Sequence, residues 1–118
     1  MTKLRSLIAF LVLTVFLGAC SSEISKMTIR TGKTGDIEVT DLRSVERNGL
    51  LTAQATLMNH GNSKPVAYRF RWLSKDGMRV SGDEVWKPLT IQKGRSQNIE
   101  GIAPSAQATD FRVELDSF

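Results

Sequence analysis

The chain has 118 residues, with 16 basic side chains against 12 acidic ones and a formal net charge of +4. This length accommodates one domain of ordinary size. A single cysteine excludes an intramolecular disulfide, and a single histidine leaves little from which to build a Cys/His metal site.

The chain opens with Lys3 and Arg5, then an apolar stretch from Leu7 to Leu17 that only Thr14 interrupts. Such a stretch fits the roughly 7–15 residues of a secretory h-region and falls short of the ~20 that span a bilayer. Small Gly18 and Ala19 lead into Cys20. Leu17-Gly18-Ala19-Cys20 resembles the lipobox of bacterial lipoproteins, in which the cysteine is lipidated and the preceding segment removed. The resemblance implies that residues 1–19 are a signal peptide, cut between Ala19 and Cys20, and that Cys20 carries two or three acyl chains. At about 0.8 kcal/mol per buried CH₂, attachment by several chains is effectively permanent. Ser21 stands where an Asp would mark inner-membrane retention in Gram-negative lipoproteins, so it implies the outer membrane. The competing readings are a retained N-terminal anchor and an ordinary export signal with an incidental cysteine. Lys3 and Arg5 leave with the leader, so 14 basic side chains face 12 acidic ones in the mature chain, a net charge of +2. The polyanion-binding reading weakens accordingly, and export makes nucleic acid an unsuitable partner.

Residues 20–36 read as a lipidated N-terminus and flexible tether, rich in Ser, Thr, Gly and Lys. Its fifteen residues from Ser21 to Gly35 would reach about 50 Å extended and about 20 Å as a flexible coil. The alternative is that Met27 to Arg30 adds an edge strand. From residue 37 to 118 the pattern predicts a single β domain, with strand-like runs separated by regular turn signals. Ile37 to Glu46 leads into Asn48-Gly49, the residue pair that a type I′ hairpin turn favours. Leu51, Ala53, Ala55 and Leu57 then alternate with Thr52, Gln54 and Thr56, and Asn59 to Lys64 is a polar loop.

In the next strand Tyr68, Phe70 and Trp72 share one face, and Arg69 and Arg71 the other. Lys75-Asp76-Gly77 turns the chain toward a short strand at Met78 to Val80. Trp86 to Ile91 follows, with Pro88 indicating an edge or bulge, then Ser96 to Ile102 and Phe111 to Leu115. About seven strands predict an antiparallel, immunoglobulin-like β-sandwich, with a small barrel as the alternative. Trp72 is expected near the core centre, and helix signals are nearly absent after Cys20.

Several segments of the domain also carry a resemblance. They are Asp41-Leu42-Arg43-Ser44 with Asn48-Gly49-Leu50, Tyr68-Arg69-Phe70-Arg71-Trp72, Trp86-Lys87-Pro88-Leu89, Ala103-Pro104 and Ala108-Thr109-Asp110-Phe111-Arg112. In this order they resemble the YcfL-like family of periplasmic lipoproteins of proteobacteria. The resemblance implies a Gram-negative envelope lipoprotein with a β-sandwich, and it brings no catalytic residues.

The search for chemistry returns few leads. Lipidation consumes the thiol of Cys20, and His60 sits in a loop with no G-x-S-x-G elbow anywhere in the chain. Met27, Met58, Met78 and His60 could imitate a soft-ligand copper site, but scattered core methionines are the better explanation. Asp83-Glu84 and the pair Asp110 and Glu114 are the carboxylates that glycoside chemistry would use; cross-strand pairing with Arg69 or Arg71 accounts for the latter pair without chemistry. No metal, cofactor or catalytic residue is therefore expected.

One binding lead remains. Arg69, Arg71 and Arg112 are expected to point away from the aromatic core, on strands that could be neighbours. Three guanidinium groups would suit a carboxylate-rich partner, either an envelope protein or the peptide stems of peptidoglycan. Internal pairing with Asp110, Glu114 and Glu38 is the structural alternative. The sequence thus predicts a lipid-anchored interaction module on the periplasmic face of the outer membrane. The alternative is an assembly factor that meets its partner through an edge strand near Pro88.

Overall fold

The computed structural model describes residues 19–80 and 84–118. The leader, and the side chains of Ala19, Cys20 and Ser21 on which the cleavage, lipidation and sorting readings rest, lie outside the described residues. The elements run α1 (Ala19–Met27), β1 (Thr28–Arg30), β2 (Ile37–Arg47), β3 (Leu50–Asn59), β4 (Pro65–Leu73), β5 (Lys87–Thr90), β6 (Ser96–Ile102) and β7 (Asp110–Ser117). A four-stranded sheet, β1-β7-β4-β5, faces a three-stranded sheet, β2-β3-β6. The inner faces of both sheets feed one continuous apolar cluster, which makes the fold a β-sandwich. The neighbours β2-β3-β6 and β5-β4-β7 have the order of strands A-B-E and C′-C-F in immunoglobulin-type sandwiches, with β1 beside β7 where strand G would stand.

Local chemistry explains most of the pairing. Asn48 (φ 53°) and Gly49 (φ 78°) both adopt the left-handed conformation, so the β2–β3 hairpin turns as the Asn-Gly pair predicts. On β3, Ala53, Ala55 and Leu57 are buried while Gln54 is exposed. Thr52, expected to be wet, is buried because it lies in one rung between Val45 and Ile102 on the outer face. Phe70, Trp72 and Phe111 form an aromatic cluster with ring centroids 5.7–6.3 Å apart. Trp72 is 5% exposed, which places it in the core as expected.

Two sequence expectations change. The segment read as a flexible tether is structured from Ala19 to Arg30: α1 is followed by β1, which pairs parallel with β7 from Thr28↔Val113 to Arg30↔Leu115. Ile24 and Met27, three residues apart on α1, pack against the core, which is the tertiary gain that a short polar segment lacks when judged alone. The folded domain therefore begins before Ile37. The second change removes the strand expected at Met78 to Val80. The Ser74 N–H donates to the Met78 carbonyl at 2.8 Å, and only a single bridge joins Leu73 to Arg79. β5 in turn pairs with β4 only at Pro65–Tyr68. Among the described residues the total of seven strands is reached with β1 in place of 78–80.

Candidate functional site

The arginine face lies on the outer side of the four-stranded sheet. Antiparallel register sets Arg69 opposite Glu114 and Arg71 opposite Arg112, so all four side chains emerge on one surface. The three arginines are therefore neighbours, the arrangement that the sequence left open. Their guanidinium groups, however, are engaged within the fold. Arg69 Nε donates to Glu114 Oε2 at 2.6 Å, and Arg71 Nε stands 2.5 Å from Glu114 Oε1. The second contact is ionic without a well-directed hydrogen bond, since neither of those two buried atoms has a partner of acceptable geometry. Arg112 donates to Asp110 Oδ2 at 2.9 Å and to the Phe111 carbonyl at 2.7 Å.

Glu114 is the centre of this arrangement, with its side chain 5% exposed. Two cations on one buried carboxylate offset its desolvation, which a single surface partner would not do. The segment leading into β5 covers the cluster from one side. The Arg69 guanidinium lies 4.2 Å above the Trp86 ring, and the Trp72 indole N–H donates to Glu84 Oε2 at 2.9 Å. A cavity of about 10 Å³ remains between these groups, too small for any ligand. The role of Glu114 was legible in its spacing from Arg112 along β7. The role of Trp86 was not, because it arises only when the loop folds back over β4.

The remaining candidates are dispersed. His60 Nε2 lies 2.6 Å from Glu38 Oε2, with both side chains half exposed, and its backbone N–H donates to the Asp36 carbonyl. Asp110 and Glu114 are held by different arginines, so they form no open carboxylate pair. Glu84 is taken by Trp72 and lies 4.0 Å from Lys87, whereas Asp83 lies outside the described residues. Met27 packs on the core from α1, Met58 is half buried on β3, and Met78 is exposed in a turn. Among the described residues no group of three His, Cys, Asp or Glu side chains could hold a metal, and no helix is long and apolar enough to cross a membrane.

Open grooves also mark the surface of the described residues, two of them beside β2. One, of about 500 Å³, runs between α1 and β2 past Ile24, Thr28, Arg30, Glu38 and Thr40. The other, of about 280 Å³, lies on the outer face of the three-stranded sheet among Arg43, Val45, Arg47, Gln54 and Glu100.

Comparison with solved structures agrees with this architecture. The crystal structure of Campylobacter jejuni cj0090 superposes with a TM-score of 0.69 at 25% identity, covering 78% of this chain and 98% of that one. The 1.81 Å crystal structure of a DUF1425 family member from Shewanella sp. pv-4 gives a TM-score of 0.62 at 21% identity, covering 67% of this chain and 75% of that one. A family model described as protein of unknown function (DUF1425) matches residues 26–117, a span that includes β1. A comparison with curated proteins gives no match.

Proposed function

The chain belongs to the family of proteins of unknown function DUF1425, and we propose that it serves as a lipid-anchored interaction module of the bacterial envelope. On this reading it is a YcfL-like lipoprotein, anchored through acyl chains on Cys20, sorted by Ser21 to the outer membrane, with its sandwich in the periplasm. The observation that carries the reading is the lipobox Leu17-Gly18-Ala19-Cys20 directly ahead of a β domain.

The fold sharpens the geometry of such an anchor. Cys20 and Thr28 are separated by one helix, which at 1.5 Å per residue spans about 12 Å. The sandwich is then held close to the bilayer instead of on a long tether. A partner would be another envelope protein or peptidoglycan, met on the outer face of β4 and β7. Arg112 is the arginine best placed to exchange partners there, because Asp110 is half exposed and Arg69 and Arg71 are tied to a buried carboxylate. The reading assigns no catalytic residue and no cofactor.

Metabolic labelling with a palmitate analogue in a Gram-negative host tests the anchor. The parent chain should take up label, Cys20→Ser should not, and Ser21→Asp should move the labelled protein to the inner membrane. An unlabelled parent chain overturns the anchor. Crosslinking of the labelled form, followed by binding to isolated sacculi, tests the partner class. Arg112→Ala is the variant to compare, since it disturbs the buried cluster least.

A further inference from the structure

β6 is an open edge. Ala103 N–H donates to the Leu51 carbonyl and Asn59 N–H to the Arg95 carbonyl, which fixes the phase of the β3–β6 ladder. Residues 97, 99 and 101 therefore direct their backbone groups at β3, and Ser96, Asn98, Glu100 and Ile102 direct theirs away from it. Among the described residues nothing pairs with those outward groups.

The other edges are protected in ways that β6 is not. β5 is four residues long and carries Lys87 and Pro88, and β1 has three residues. The register of β2 shifts between Val39 and Asp41, and its free half carries Arg43, Glu46 and Arg47. β6 runs seven residues in unbroken register, with no proline, no lysine and one charge, Glu100. Such an edge is a template for strand addition.

We propose that the occupant of this edge is β6 of a second copy, paired antiparallel about a two-fold axis at Ile99. This register matches every outward residue, Ser96 with Ile102 and Asn98 with Glu100 of the other copy, and joins the two three-stranded sheets into one of six strands. Asn98 Oδ1 already accepts from Thr56 Oγ1 at 2.8 Å, so its amide N–H groups remain for the facing Glu100 carboxylate. A shift by one pair in one direction opposes Glu100 to its own copy, and in the other leaves Ile102 unpaired. The strand is thus self-complementary in one register, as an isologous interface requires.

Sedimentation equilibrium of the full chain, expressed in a Gram-negative host and purified in detergent, tests the pairing. The parent chain should dimerise. Asn98→Asp keeps the acceptor for Thr56 but places two carboxylate pairs across the axis, and should weaken association at least tenfold. Asn98→Lys should restore or tighten it. Glu100→Pro removes an outward N–H without touching the β3 ladder, and should give a monomer with an unchanged β-sheet circular dichroism spectrum. A monomeric parent chain, or a dimer indifferent to both Asn98→Asp and Glu100→Pro, overturns the proposal. A photo-crosslinker at residue 98 that captures only a different protein does so as well.

Discussion

Arg69 and Glu114 face each other across β4 and β7 with Nε 2.6 Å from Oε2, and their side chains are 18% and 5% exposed. They form the buried end of a surface whose other end, Arg112 with Asp110, is open to solvent. The same chemistry therefore has different consequences at two ends of one face, and burial decides which.

Removing the buried carboxylate should be costly. Glu114→Ala leaves Arg69 and Arg71 without their anion inside the fold, and stability should fall by about 3–5 kcal/mol in urea melts. The triple replacement of Arg69, Arg71 and Glu114 by apolar residues should cost much less than Glu114→Ala alone, because no uncompensated charge remains.

Arg112→Ala should lower stability by less than about 1 kcal/mol, since its partner Asp110 is half exposed and solvent replaces the pair. A loss above 2 kcal/mol would mean that Arg112 belongs to the buried cluster.

Trp72→Ala removes an indole that stacks on Phe70 and donates to Glu84, and should cost about 3–5 kcal/mol. For a domain of this size that is most of the total stability. The change in denaturation midpoint, with an unaltered m-value, is the measurement.

Gly101 allows β6 to lie against the core. A Cβ at that position would stand 2.5 Å from Phe70 Cδ2, an atom held inside the aromatic cluster. Gly101→Ala should therefore destabilise by about 1–3 kcal/mol through overpacking. Phe70→Leu in the same chain should recover part of that loss, as a double-mutant cycle would read.

Asn59 is 1% exposed and fully satisfied. Its Nδ2 donates to the Ile91 carbonyl at 2.7 Å and the Asn62 carbonyl at 3.2 Å, and its Oδ1 accepts from Gly61 N–H at 2.9 Å. Asn59→Ala strands the buried Ile91 carbonyl and removes the partner of two part-buried backbone groups, and should cost about 1–3 kcal/mol. Hydrogen exchange at Gly61 should accelerate by more than the global loss of stability explains.

The sandwich was legible because each cue was local. Alternation along β3 and β4, the Asn-Gly turn and Pro88 on an edge each declare themselves within ten residues of chain. α1 was not, and β1 was only as the alternative to a tether, because Ile24, Met27 and Ile29 offer too little apolar surface to hold a helix or strand unaided. They gain it only in the assembled fold, β1 from β7, more than eighty residues away, and α1 from β2 and β7. The expected strand at 78–80 failed for the converse reason, since its apolar residues fit a strand but β4 offers it no more than one bridge.

The order of residues by itself determined the lipobox-like motif, the strand periodicity and the outward phase of Arg69, Arg71 and Arg112 on their own strands, since all of these follow from spacing along the chain. Only the tertiary structure decided that two of those arginines are committed to Glu114, that residues 19–30 join the fold, and that β6 is left as the open edge. Those outcomes depend on register between strands distant in sequence, and on which groups lose solvent when the two sheets close.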